Sequence, residues 1–119
     1  MKTRQLLLAT LLLASFQGAF GFKVLEQTER AVELTLGDLN LPSSTTGTVS
    51  FKACASCAID THRVTEATVY QVNFQTLTLA EFLRVANEFR SRPGGRENTV
   101  GAVFLDVKTG RVTRILING

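Results

Sequence analysis

One segment of this chain, residues 78–91, has the apolar periodicity of an α-helix, whereas the segments on either side of it alternate as β-strands do. Thr78 is suited to the N-cap of that helix, and Glu81 completes a capping box with it. Pro93 ends the helix by about Ser91, because the residue before a proline disfavours helical backbone angles. The apolar residues recur at helical spacing and form a single stripe, at Leu79, Phe82, Leu83, Ala86 and Phe89. The sequence therefore predicts one helix that packs by one face.

Period-two alternation predicts about six short strands around this helix. They fall near residues 30–36, 48–53, 58–64, 67–74, 99–107 and 112–117. Helices do not alternate with these strands, as they would in a parallel α/β sheet. The predicted fold class is therefore α+β, with a small antiparallel, strongly bent β-sheet or partial barrel and the helix at about 78–91 packed on it.

Three connecting segments are rich in turn residues. Lys108–Gly110 predicts a hairpin with glycine in the left-handed conformation. Asn73 and Phe74 predict a tight turn, although two-residue hairpin turns usually have glycine after asparagine. Pro42–Gly47 is rich in serine and threonine, so it is predicted to be a solvated loop.

The first 21 residues have the three regions of a secretory signal peptide. Lys2 and Arg4 give a basic start, residues 6–16 are almost wholly apolar, and small residues precede a cut between Gly21 and Phe22. The apolar run is shorter than the roughly 20 residues that a membrane-spanning helix needs. We therefore expect residues 22–119 to be a single exported domain, periplasmic or secreted, without stable membrane insertion after cleavage.

Removal of the signal peptide changes the charge of the chain. The full sequence has a net charge of +3, but Lys2 and Arg4 leave with the signal peptide, so eleven basic and ten acidic residues remain. Nucleic-acid binding depends on clustered positive charge that neutralises phosphates. The nearly neutral mature chain is therefore not expected to bind nucleic acid.

The two cysteines, Cys54 and Cys57, have C-x-x-C spacing, and the single histidine, His62, follows them closely. Strand-like alternation before the motif and the lack of a helical stripe after it place the motif on a turn between two strands. That setting favours a structural disulfide, because an activated thiol needs a helix N-terminus or a similar electropositive environment. Two alternatives remain open. One is a redox-active dithiol, and the other is a divalent metal such as zinc bound by both cysteines and His62, with Asp60 as a possible fourth ligand.

Three arginines, Arg90, Arg92 and Arg96, lie close together in the sequence around a Pro-Gly-Gly turn. They indicate a contact with an anion or an acidic partner, or else a solvated helix end where positive charge suits the helix dipole. The sequence contains no nucleophile-elbow, P-loop, zinc-protease or dinucleotide-binding motif. The predicted function is therefore an exported, non-enzymatic module without a cofactor, with a turn disulfide, which binds a protein or envelope component or has a structural role. The alternative is a thiol-redox or metal-binding protein that uses Cys54, Cys57 and His62.

Overall fold

The computed structural model describes residues 28–119, which contain eight strands in two β-sheets where the sequence predicts about six. The two additional strands are short and fall at residues 39–40 and 75–77. The predicted signal peptide, residues 1–21, lies outside the described residues. The eight strands are β1 (Glu29–Thr35), β2 (Leu39–Asn40), β3 (Thr48–Lys52), β4 (Ile59–Arg63), β5 (Val69–Val72), β6 (Gln75–Leu77), β7 (Val100–Asp106) and β8 (Val112–Asn118). The helices are α1 (Leu79–Ser91) and α2 (Gly95–Asn98), and a turn of 3-10 helix (Leu36–Asp38) joins β1 to β2.

The larger sheet has the strand order β1-β7-β8-β5-β6, and the smaller one has the order β2-β3-β4. The α+β prediction is confirmed, but two of its details are wrong. The larger sheet is mixed, because β5 runs parallel to β8 while the other neighbouring strands are antiparallel. Parallel neighbours need a long crossover, which the segment from β6 through both helices to β7 provides. The strands also divide between two open sheets and do not form a partial barrel.

Helix α1 begins and ends where the sequence predicts. The Thr78 side chain accepts a hydrogen bond from the Glu81 N–H at 3.2 Å, and the Thr78 N–H donates to the Glu81 carboxylate at 3.3 Å. This capping box satisfies main-chain donors that the first helical turn cannot pair internally. The buried face of the helix consists of Leu79, Phe82, Ala86 and Phe89.

A single core lies between α1, one face of the larger sheet and the smaller sheet. Phe82 is completely buried, and its ring lies 5.3 Å from that of Tyr70 on β5. The smaller sheet contributes Leu39, Val49 and Phe51 to the same cluster. β7 and β8 lie in the middle of the larger sheet, and each is paired with a strand on both sides. Their strongly apolar sequences predict this central position.

The hairpin between β5 and β6 turns at two residues with left-handed backbone angles. Asn73 has φ of 49° and Phe74 has φ of 68°. Asn73 tolerates this conformation, and its side-chain oxygen accepts a hydrogen bond from the Gly119 N–H at 3.2 Å. Phe74 is unfavourable there, and its side chain is 70% exposed, so packing does not offset the cost.

Replacing Phe74 with glycine is expected to stabilise the protein by about 1 kcal/mol, because glycine adopts this conformation without a steric penalty. Urea denaturation would measure the change. The matched control is Phe74→Ala, which removes the ring but keeps the strained Cβ and is expected to change stability by less than about 0.5 kcal/mol. Equal stability of the two variants would show that the backbone at this position carries no strain.

Candidate functional site

A groove of about 430 Å³ lies between helix α1 and the segment that follows β1. The apolar residues around it are Leu36, Leu39, Leu41, Pro42 and Leu83. Of these, Leu41 and Leu83 are partly exposed and the other three are buried. The charged and amide side chains that line it are Asn40, Asn87, Arg90 and Arg96. Pockets of this size, with apolar walls and a few polar groups, are typical of sites for small ligands or short segments of a partner.

Helix α1 supplies three of the lining residues through its periodicity. Leu83, Asn87 and Arg90 are spaced by four and then three residues, so they lie along one side of the helix. The Arg90 guanidinium donates hydrogen bonds to the Leu39 carbonyl at 3.0 Å and to the Asn87 side-chain oxygen at 3.5 Å. These two contacts hold Arg90 against β2, half-buried at the wall of the groove.

A tight reversal of the chain after α1 brings Arg96 back to the same groove. Gly94 has φ of 71°, in the left-handed region, and the Gly95 N–H donates to the Arg92 carbonyl at 2.9 Å. Gly95 is buried so close to α1 that a Cβ on it would lie 1.7 Å from the Phe89 carbonyl oxygen. Glycine at this position therefore permits the reversal that places Arg96 beside Arg90.

The two arginines of the groove raise the local positive charge without a carboxylate partner. Burial, and secondly the charge of Arg96, lower the pKa of Arg90 from its usual value. Among residues 28–119, one ion pair is formed, between Arg84 and Glu88 at 2.7 Å on the exposed face of α1. Neither groove arginine has a carboxylate of the described residues within ion-pairing distance. Arg90 is half-buried and Arg96 is exposed, and two neighbouring positive charges without an ion-paired carboxylate favour the binding of an anion.

The structure separates the three arginines that are neighbours in the sequence. Arg90 and Arg96 line the groove, whereas the Arg92 guanidinium lies 4.5 Å above the centre of the Phe89 ring. The segment 42–47 also differs in one respect from a wholly solvated loop. Pro42 is buried and forms part of the groove wall, while residues 43–46 are exposed.

The C-x-x-C motif lies on an exposed turn between β3 and β4, as its flanking residues predict. Cys54 and Cys57 form a disulfide with a Cα–Cα distance of 5.0 Å, and the Cys57 N–H donates to the Cys54 carbonyl at 3.1 Å. The motif does not begin a helix, so no helix dipole acts on either sulfur. The bridge closes a turn that the main chain already forms.

Changing both cysteines to serine is expected to leave the domain folded and to lower its free energy of unfolding by about 2 kcal/mol, since the bridged loop is so short. Guanidinium denaturation of the double variant and of the oxidised and reduced wild-type protein would measure the difference in the free energy of unfolding. The reduced protein is the matched control and should lose a similar amount. Complete unfolding of the variant would mean that the bridge holds the domain together.

His62 has structural contacts on β4. Its Nδ1 donates to the Gly110 carbonyl at 2.9 Å, and its ring stacks on Phe51 with centroids 5.6 Å apart. Among residues 28–119 no three histidine, cysteine or acidic side chains are grouped so that they could hold a metal ion. The sequence hypothesis of a site made from Cys54, Cys57 and His62 therefore gains no support from the geometry.

Neither helix within residues 28–119 has the length and apolar character needed to cross a membrane. Comparison of the chain with protein-family models, curated proteins and solved structures found no match. The functional proposal that follows therefore depends on the geometry of the groove and the chemistry of its residues.

Proposed function

We propose that this chain is an exported, non-enzymatic binding module, periplasmic or secreted, which holds an anionic group of a protein or envelope component in the groove of Arg90 and Arg96. The observation that carries the proposal is the pair of arginines in one groove without a carboxylate partner. An anion placed between them would offset their mutual repulsion and form charge-assisted hydrogen bonds, which are stronger than neutral ones.

The non-enzymatic part of the proposal is supported by how the reactive side chains are used. The two cysteines bridge one another, and His62 donates to a main-chain carbonyl and stacks on Phe51. Each of these groups therefore has a structural contact of its own. The turn disulfide fits an oxidising compartment, which is where a chain with the predicted signal peptide would fold. Export itself is tested by the N-terminal residue of the recovered product, which should be Phe22.

Anion binding is tested by titrating the isotopically labelled protein with sodium pyrophosphate and following amide chemical shifts. We expect saturable shifts around the groove, at Gly37, Leu41 and Asn87. Arg90→Gln and Arg96→Gln should each weaken binding about tenfold, because each removes a charge-assisted hydrogen bond.

The matched control is Arg92→Gln, which removes the same charge from the same stretch of sequence but lies outside the groove. Its apparent affinity for pyrophosphate should stay within about twofold of the wild-type value, since rim charges at a distance are screened by salt. Shifts that do not saturate, or equal affinities for Arg92→Gln and the two groove variants, would refute the proposed site.

A further inference from the structure

The end of β8 contains a pair of residues, Asn118 and Gly119, whose chemistry favours spontaneous deamidation. In this reaction the main-chain nitrogen of the second residue attacks the side-chain amide carbon of the asparagine. Glycine after the asparagine favours the attack, because it has no side chain to hinder the approach and the fewest backbone restrictions. Asn118 is the one asparagine in the sequence that precedes a glycine.

The packing of the fold explains why glycine follows Asn118. A Cβ on Gly119 would lie 2.8 Å from a carbon of the Phe89 ring on α1. That ring belongs to the core and is only 6% exposed, so it cannot swing into solvent to make room. Core packing therefore requires at position 119 the residue that makes Asn118 reactive.

The side chain of Asn73, in the turn between β5 and β6, holds the nitrogen that would attack. Its Oδ1 accepts a hydrogen bond from the Gly119 N–H at 3.2 Å, and its Nδ2 donates to the Gly119 carbonyl at 3.4 Å. The Asn73 N–H also donates to the Ile117 carbonyl at 2.9 Å. Asn73 therefore binds the main chain on both sides of Asn118.

The strand itself also opposes the reaction. Asn118 is in β8 and pairs with Val100 of β7. The ring formed by the attack contains the Cα–C bond of Asn118, so its closure requires a rotation about that bond, away from the extended angle of a strand. The rotation would separate Asn118 from Val100 and Gly119 from Asn73. Deamidation therefore requires a local opening at the end of β8.

We infer that Asn118 is a site of spontaneous deamidation and that the Asn73 side chain suppresses the reaction in the folded protein. When the end of β8 opens, the Gly119 nitrogen bonds to Asn118 Cγ and the bond from Cγ to Nδ2 breaks. Ammonia leaves with the proton of the Gly119 nitrogen, and a cyclic succinimide remains. Water then opens the succinimide at either carbonyl to give aspartate or isoaspartate, so water is the only further reactant.

The modification makes a reversible opening permanent. In isoaspartate the main chain runs through the side-chain carbon, which lengthens it and moves Gly119 away from Asn73 and the Phe89 ring. Aspartate keeps the main chain but adds a negative charge beside Val100, which is 51% exposed. The turn between β5 and β6 then loses its contacts with residue 119 in the isoaspartate product.

The test compares two glycine substitutions in that turn, Asn73→Gly and Phe74→Gly. Both residues have left-handed backbone angles that glycine adopts freely, but only the first substitution removes the side-chain contacts with Gly119. Mass spectrometry of the tryptic peptide 115–119 measures deamidation after incubation at mildly alkaline pH. We expect Asn73→Gly to react about fivefold faster than the wild-type protein, the factor for losing a typical hydrogen bond. Phe74→Gly should stay within about twofold of the wild-type rate.

Two further measurements separate this local role from a general loss of stability. Val49→Ala truncates a buried side chain in the smaller sheet and should stay within about twofold of the wild-type rate, because the opening is local. The wild-type chain unfolded in urea should react at least about tenfold faster than the folded protein.

Three results would overturn the inference. If Val49→Ala accelerates the reaction as much as Asn73→Gly does, deamidation follows global unfolding. If Asn73→Gly reacts at the wild-type rate, the Asn73 side chain gives no protection. If the folded and unfolded wild-type chains react equally fast, the fold does not suppress deamidation of Asn118.

Discussion

Phe82→Ala is expected to lower the free energy of unfolding by about 3–5 kcal/mol, the range for truncating a buried phenylalanine. The side chain is completely buried in the core and packs against Tyr70 on β5. Its loss leaves a cavity between α1 and the larger sheet. Because the free energy of unfolding of small domains is about 5–15 kcal/mol, the variant would lose a large part of its stability. Urea denaturation followed by circular dichroism measures the loss.

Two further variants keep this prediction testable if the alanine protein does not fold. Phe82→Leu keeps most of the volume and should cost less than about 1.5 kcal/mol. Phe74→Ala makes the same truncation at a side chain that is 70% exposed, and should change stability by less than about 0.5 kcal/mol. Equal losses at Phe82 and Phe74 would mean that the helix does not pack as described.

Gly95→Ala is expected to cost about 3 kcal/mol or more and to weaken anion binding at the same time. The added Cβ would lie 1.7 Å from the Phe89 carbonyl oxygen, which belongs to the main chain of α1 and cannot rotate away. The reversal after the helix must then open, and Arg96, the next residue, moves away from Arg90. Thermal unfolding and the pyrophosphate titration would measure the two effects.

The control for this glycine is Gly47→Ala. Gly47 has no left-handed backbone angle, and its nearest neighbour is the Ser44 hydroxyl at 3.2 Å, at the end of a side chain that can move. Its substitution should change stability by less than about 1 kcal/mol and leave anion binding unchanged. A Gly95 variant as stable as the Gly47 variant would contradict the close approach at α1.

The local elements could be predicted because their signals lie within a few residues of one another. The capping box at Thr78 and Glu81 marks the start of α1, and Pro93 marks its end. The exposed Arg84–Glu88 pair follows from i,i+4 spacing. Gly110, with φ of 73°, has the left-handed angle that the hairpin after β7 requires.

The arrangement of the strands could not be predicted in the same way. Period-two alternation shows which face of a strand is buried, but not which strand lies beside it. The sequence of β5 has the pattern of any hairpin strand. In the structure, β5 pairs with β6 on one side and with β8, which is distant in the sequence and parallel to it, on the other. The two sheets also approach one another at Gly101, where an added Cβ would lie 3.3 Å from the Leu39 side chain, and no local pattern encodes that proximity.

The candidate site was predicted in part. The sequence places Arg90, Arg92 and Arg96 together, but the turn at Gly94 and Gly95 decides which of them share a groove. The available signal was the helical spacing of Leu83, Asn87 and Arg90, which puts that arginine beside the apolar stripe. The opposite wall, from Leu36 to Pro42, is far away in the sequence and could be found only from the tertiary structure.

The parallel pairing of β5 with β8 has a consequence for the folding kinetics. Val69 pairs with Arg114, so the larger sheet is not complete until two distant parts of the chain have met. Closing so long a loop lowers the conformational entropy of the chain before strand pairing can offset that loss. Contacts between residues distant in the sequence therefore slow folding. A chain that lacks residues 112–118 would leave β7 and β5 each with an unpaired edge. Such edges are templates for aggregation, so the central strand protects its neighbours from pairing with other molecules.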